Sequence, residues 1–227
     1  ILVGDNAASQ TYVASKERVA ARCGLKTFNY RLPPHVSESE LRSVIEGCNE
    51  SPEIDGILLQ LPLPEGLEGR KFLSFIAPEK DADGLHPFNQ GLLLQDGDAI
   101  PPCTPLGSIV LLDRAISVLA PERMKNGRAT LAGLRAVVIG RSLLVGKPLA
   151  LMLTARDATV TLLHSKSPGI GGAIAEADIV VAAIGKPQFV KGDWIKPGAI
   201  IIDVGINRTE DGKIVGDVDF ESAVRRA

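Results

Sequence analysis

Hydrophobic and polar residues along this chain change period repeatedly, and each change marks an element. The opening "ILVGD" reads as a strand running into a loop, and Ser9 to Arg22 reads as a helix that Gly24 is placed to end. "TFNYRL" alternates Phe28, Tyr30 and Leu32 with the period of a strand. In "SESELRSVIEGC", Ser37 and Glu40 have capping-box spacing, and Leu41, Val44, Ile45 and Cys48 form one apolar stripe. "DGILLQL" is almost continuously apolar, which predicts a parallel-sheet strand covered on both faces. Gln60 breaks that run at its carboxyl end, and Pro62 and Pro64 stop it. A helix over roughly 67–76 then leads into "PEKDADGLHPFNQG", predicted to be a long polar loop.

"PPCTPLG" reads as an interdomain joint, because prolines stiffen the chain and favour extended structure. Thr104 is placed to cap the apolar helix that follows, with Pro105 at its first position. A second series then runs "LRAVVIG" as strand, "GKPLALMLTAR" as helix, "ATVTLLH" as strand, "GGAIAEA" as short helix, and "DIVVAAIG" and "GAIIIDVG" as two more strands. Strand, Gly-rich turn and helix in repeated order predict a doubly wound parallel sheet, with ligands beyond the carboxyl ends of its strands. The first residue is Ile, and the closing "DFESAVRRA" stops inside a helix pattern, so both ends are expected to be cut and any targeting segment to lie outside the sequence.

Composition narrows the class of function more than it names one. At 227 residues, with 45% hydrophobic and 23% charged residues, the chain has enough material for one large or two modest globular domains. A formal charge of −2 with no basic block argues against a nucleic-acid partner. No apolar run approaches the roughly 18–20 residues of a membrane helix. Cys23, Cys48 and Cys103 are odd in number and widely spaced, which indicates neither a disulfide framework nor a zinc site and fits a reducing cytoplasm or an organelle matrix.

Three places carry candidate chemistry. In "VVIGRSLLVGKP", Gly140 takes the first glycine position of the dinucleotide fingerprint, but Ser142 and Val145 take the second and third, with Gly146 just beyond. Read alone, the string is either a phosphate-binding turn or an ordinary tight one. At the end of the next strand, where a carboxylate would meet a free ribose 2′-hydroxyl, stand His164, Ser165 and Lys166. Together with Arg141 in the turn, these groups favour a 2′-phosphate and hence NADP over NAD; otherwise Lys166 is a solvated loop charge. In "KDADGLHP", Asp81 and Asp83 flank a small residue without the partners of a metal site, and one of them suits an Asx-turn. Tyr12 and Lys16, four apart, share one helix face, which is either a reaction centre or a plain helix surface. Short-chain dehydrogenases use the same Tyr–Lys spacing, but their nucleotide fingerprint precedes the pair, whereas here it follows in a separate sheet.

The colinear strings "VGDNAASQTYVASK", "DGILLQLPLP", "PEKDADGLHP", "PCTPLG", "VVIGRSLLVGKP", "LLHSKS", "GDWIKPGAIIIDVGIN" and "VGDVDF" resemble the bifunctional methylenetetrahydrofolate dehydrogenase/cyclohydrolase family over essentially the whole chain. The resemblance implies two α/β domains with an interdomain cleft: a folate-binding catalytic domain over 1–103, lacking its amino-terminal part, and a Rossmann-like NADP-binding domain over 104–227, lacking its carboxyl-terminal loop and helix. It implies oxidation of 5,10-methylenetetrahydrofolate with NADP, hydrolysis of the methenyl product to 10-formyltetrahydrofolate, and a homodimer paired through the nucleotide domains. By the same resemblance Lys16 is the general acid/base, made usable by burial and its surroundings, and Gln60 is its hydrogen-bond partner. Tyr12 stacks on or steers the folate, Asp83 grips the pterin, and Asp81 is structural. Gly140, Arg141 and Ser142 go to the phosphates and ribose, Ser165 to the 2′-phosphate, and Ile206 to the nicotinamide end. Cys103 is expected to be a buried packing residue, and His164 to pack at a strand end. A monofunctional dehydrogenase is the nearest alternative; a folate- or nucleotide-binding protein without turnover is one from another class.

Overall fold

In the computed structural model, which describes residues 1–227, the chain forms two units, Ile1–Gly91 and Leu92–Ala227. The first is built around β1 (Leu2–Val3), α1 (Ala7–Arg22), β2 (Arg31–Leu32), α2 (Glu38–Glu50), α3 (Gly69–Leu73) and α4 (Pro87–Leu94), whose last turn crosses the division. Asn6 starts α1 two residues earlier than the periodicity predicts, because its side chain accepts a hydrogen bond from the Ser9 N–H. Gly24, at φ 74°, follows the helix end. The capping box of α2 forms as its spacing predicts: Ser37 accepts from the Glu40 N–H, and the Glu40 carboxylate accepts from the Ser37 N–H. That helix buries Leu41, Ile45 and Cys48 against Val3, Ile57, Leu59 and Phe72.

Two predicted strands are shorter than their apolar patterns suggest. "TFNYRL" pairs only at Arg31–Leu32, in parallel with β1. "DGILLQL" runs extended, but its ladder is reduced to a parallel bridge between Ile57 and Asp81, with Gln60 N–H donating to Ile1 O at 2.9 Å. β1 therefore lies between β2 and the 57–60 segment, with residues 80–82 beyond. The helix predicted over 67–76 is confined to Gly69–Leu73. The predicted loop 78–91 holds more structure than its polarity implies: a 3-10 turn at Pro78–Lys80, then α4 beginning at Pro87. Asn89 ties α4 back through its side-chain N–H groups to Pro78 O and Asp81. Beyond it, the turn over 92–97 closes on itself, Gly97 N–H donating to Leu92 O.

The second unit opens with α5 (Cys103–Leu119), which begins before the predicted Thr104 cap and has no side-chain cap. Pro105 sits in the first turn, where a missing N–H costs nothing. Cys103, at the start of this helix, is exposed rather than buried, while Pro102 and Pro105 turn inward beside it. After a hairpin of β3 (Met124–Lys125) and β4 (Arg128–Ala129), the sheet is made by β5 (Arg135–Ile139), β6 (Thr159–Leu163), β7 (Ile179–Ala182) and β8 (Ile200–Asp203). All are parallel, in the order β6-β5-β7-β8. Alternate residues of β5 face opposite layers. Ala136 and Val138 pack with Ile109, Leu112 and Ile116 of α5 and with Leu149 and Leu153 of α6 (Gly146–Thr154). Val137 and Ile139 pack with Ile174 of α7 (Ile170–Ala175) and with Val190, Ile195 and Val218. This is the doubly wound sheet that the continuous apolar strands predict. A hairpin of β9 (Asn207–Arg208) and β10 (Ile214–Val215) and a short α8 (Phe220–Ala223) complete the unit. No helix is long and apolar enough to cross a membrane.

Candidate functional site

In the first unit, three polar side chains converge where parallel segments end. Lys16 projects from α1, Gln60 ends the 57–60 segment, and Asp83 follows the 80–82 segment. Lys16 Nζ donates to Gln60 Oε1 at 3.3 Å and stands 4.0 Å from an Asp83 carboxylate oxygen. The orientation of the Gln60 amide is fixed from its other end: Nε2 donates to Leu61 O at 2.7 Å, which leaves Oε1 facing the ammonium. Tyr12 lies one turn back on α1 and is 44% exposed. The Lys16 side chain is 48% exposed, so the burial expected of it is absent from the protein alone. A hollow of about 430 Å³ borders Lys16, but Leu25, Phe28, Tyr30 and Ile54 wall it, while Tyr12, Gln60 and Asp83 lie outside it. It is a groove of the first unit rather than this cluster.

Asp81 is 1% exposed, and its carboxylate accepts from the His86 N–H at 2.8 Å and from Asn89 Nδ2 at 2.9 Å. It holds the loop that presents Asp83. Sequence reasoning passed over Lys80, whose ammonium donates to Cys48 O, Asn49 O and Ser51 O at the end of α2. A cation placed on the last carbonyls of a helix anchors that same loop from its other side.

In the second unit the sequence-predicted groups fall along the carboxyl edge of the sheet in strand order. Ser165 and Lys166 follow β6, Gly140, Arg141 and Ser142 follow β5, and Ile206 follows β8. Ser165, Lys166, Arg141, Ser142 and Ile206 are all exposed. Gly140, at φ 125°, has no room for a Cβ, which would overlap the Ala183 carbonyl. Gly146 opens α6 so close to Gly140 that a Cβ there would overlap the Gly140 carbonyl. Gly146 thus fills the role of the fingerprint's third glycine, close packing of helix on strand, one residue beyond Val145. The first turn of α6 has no side-chain cap, and Ser142 Oγ accepts from the Val145 N–H at 3.1 Å. Bare backbone, a helix amino terminus and Arg141 fit a nucleotide's phosphates. His164 packs at the end of β6, its Nδ1 accepting from the Lys166 N–H and its own N–H donating to Ser167 Oγ.

Two carboxylates that residue-level reasoning did not assign order the loops after β7 and β8. Asp217 is 0% exposed and accepts from Ile184, Gly185 and Lys186 N–H groups and from Asn207 Nδ2. Asp203 accepts from the Gly205, Asp217 and Val218 N–H groups. The available signals were "VGDVDF" for Asp217 and "IIIDVG" for Asp203, each an Asp set between apolar residues beside a glycine.

The likeness to known proteins extends over both units. The model of the tetrahydrofolate dehydrogenase/cyclohydrolase catalytic domain matches residues 1–83, and that of the same family's NAD(P)-binding domain matches residues 102–227. The bifunctional protein FolD of Paramagnetospirillum magneticum is 48% identical over 231 residues, covering 100% of this chain and 74% of that protein. Among solved structures, the bifunctional FolD dehydrogenase/cyclohydrolase of Campylobacter jejuni superposes with a TM-score of 0.91 at 40% identity, covering 99% of this chain and 76% of its own. The Trypanosoma brucei FolD, complexed with NADP and an inhibitor, gives 0.88 at 38% identity, covering 100% and 75%. With matched models in both units and relatives this similar, the chain belongs to the tetrahydrofolate dehydrogenase/cyclohydrolase family.

Proposed function

We propose that the chain oxidises 5,10-methylenetetrahydrofolate to the 5,10-methenyl form with NADP and hydrolyses that product to 10-formyltetrahydrofolate. The observation that carries the reading is the meeting of Lys16, Gln60 and Asp83 in a unit of this family. Removing hydride from a carbon between two nitrogens leaves a cation those nitrogens stabilise, so the first step needs positioning rather than a strong acid or base. NADP, when bound, supplies the hydride acceptor. Arg141, Ser165 and Lys166 offer cation and hydroxyl to its 2′-phosphate. Gly140, Ser142 and the first turn of α6 receive its phosphates, and Ile206 lies at the nicotinamide end.

Hydrolysis asks more of the side chains. Water must add to the amidinium carbon, and a proton must move before a C–N bond breaks. Lys16 handles that proton, with Gln60 Oε1 holding its amine in place. Asp83 accepts hydrogen bonds from the pterin's N–H donors, and Tyr12 covers the folate ring. A folate seated there excludes water from the half-exposed lysine. The protein works as a homodimer paired through its second unit, where Val110, Leu111, Val118 and Leu119 of α5 are more than half exposed. Three cysteines outside any disulfide suit a cytoplasmic setting. The test is to supply methylenetetrahydrofolate and NADP and follow methenyl absorbance as it appears and decays. Appearance and decay are expected at rates above those without protein; absence of both overturns the reading. Size-exclusion chromatography with light scattering should give twice the monomer mass, and a monomer at all concentrations overturns the pairing.

A further inference from the structure

We propose that Asp217 is a positioning residue for the hydride-accepting end of the nucleotide site, an inference that rests on the NADP reading above. Its carboxylate is fully buried and has no lysine or arginine partner within salt-bridge distance. A charge in that setting is stable only if hydrogen-bond donors converge on it. They do: Oδ2 accepts from the Ile184 and Gly185 N–H groups at 2.7 and 3.0 Å, and Oδ1 from the Lys186 N–H at 2.8 Å and Asn207 Nδ2 at 2.9 Å. Ile184 to Lys186 form the loop after β7, and Asn207 follows Ile206 in the segment after β8. One carboxylate therefore fixes both loops at the end of the sheet assigned to the nicotinamide.

The tie is locked from below. Asp203, the last residue of β8, accepts from the Asp217 N–H at 2.9 Å and the Val218 N–H at 3.0 Å, so Asp217 is itself held to the strand end. Asp203 also accepts from the Gly205 N–H at 2.9 Å. Glycines at 205 and 216 make the approach possible: a Cβ at Gly205 would overlap Asp217, and one at Gly216 would overlap Asp203. Ile206, 62% exposed, thus stands between two residues that this pair of carboxylates immobilises. Only an acceptor suits the site. An asparagine has the same shape, but its NH2 must face backbone N–H groups that already donate, so Asp217→Asn removes acceptors without opening a cavity.

Isothermal titration of the full chain with NADP and with adenosine 2′,5′-bisphosphate, which carries only the end bound at β5 and β6, separates positioning from general damage. Asp217→Asn is expected to weaken NADP about tenfold and to leave adenosine 2′,5′-bisphosphate unchanged. Asn207→Ala, which removes one donor, should show the same split with a smaller loss. It decides the matter if Asp217→Asn does not fold. Unchanged NADP affinity, or equal weakening of both ligands, overturns the inference. A parent chain that binds neither ligand overturns the nucleotide reading itself.

Discussion

The two units prepare for chemistry by opposite means. In the first, the groups proposed to react are side chains brought together from a helix and two segment ends: Lys16, midway along α1, is 48% exposed and meets Gln60 through a single hydrogen bond of 3.3 Å. In the second, the surface proposed to receive the nucleotide is largely backbone, with Gly140 and Gly146 packed so closely that no Cβ fits at either. The hydroxyls and cations around that turn lie in solvent. A proton-transfer site needs a group that can move and exchange with substrate, whereas a phosphate cradle needs N–H groups already aimed. Removing a side chain should therefore cost rate in the first unit, and adding one should cost structure in the second.

The largest effect expected is on Lys16→Met. Methenyl hydrolysis should fall by about 10²–10⁴-fold, while the thermal midpoint stays with the parent, because a half-exposed lysine contributes little stability. Equal hydrolysis rates for variant and parent would break the first half of the comparison. Next, Gly146→Ala should lower the stability of the second unit by about 1–3 kcal/mol and weaken NADP binding, since the helix must back away from the Gly140 carbonyl. Denaturant melts alongside NADP titration would show it, and a variant as stable and as tight as the parent would break the second half. Ser37→Ala sharpens the comparison: losing the α2 capping box should cost about 1 kcal/mol in a urea melt, with hydrolysis unchanged.

The smallest effect concerns pH. Partial burial pushes the Asp178 carboxyl up, but the Arg135 N–H and the Lys196 ammonium outweigh it and hold the pKa below its ordinary 3.8. A depressed carboxyl contributes stability above the unfolded value, and that contribution disappears as pH falls through the folded one. Asp178→Asn should therefore narrow the stability gap between neutral and strongly acidic solution, and identical pH profiles for variant and parent would refute the assignment.

Local pattern and long-range geometry contributed unequally to these results. The period-3.6 stripe of α2, its capping box, and the apolar runs of β5 and β7 were legible because each is dictated by residues a few positions apart. The same locality misled at "DGILLQL", whose apolar run encodes burial but not how much ladder its neighbours supply. It also weakened the reading of the nucleotide turn, because the close-packed glycine sits one place beyond the generic spacing and only the approach of α6 to Gly140 reveals its role. Lys80 was missed for a related reason: a lysine in a polar loop looks solvated until the end of α2 is placed beneath it.

The sequence by itself determined the first two helices, the shared helix face of Tyr12 and Lys16, and the doubly wound sheet of the second unit, though not α4 or the two hairpins. Spacing along the chain fixes which backbone conformation buries an apolar face. Residue patterns could not place Lys16 against Gln60, a pairing only the family resemblance anticipated; tertiary structure made that contact, set Asp83 beside it and joined the loops after β7 and β8 through Asp217. Such meetings depend on parallel segments ending at a common edge, and that register is set by the packing of whole units rather than by neighbours in the chain.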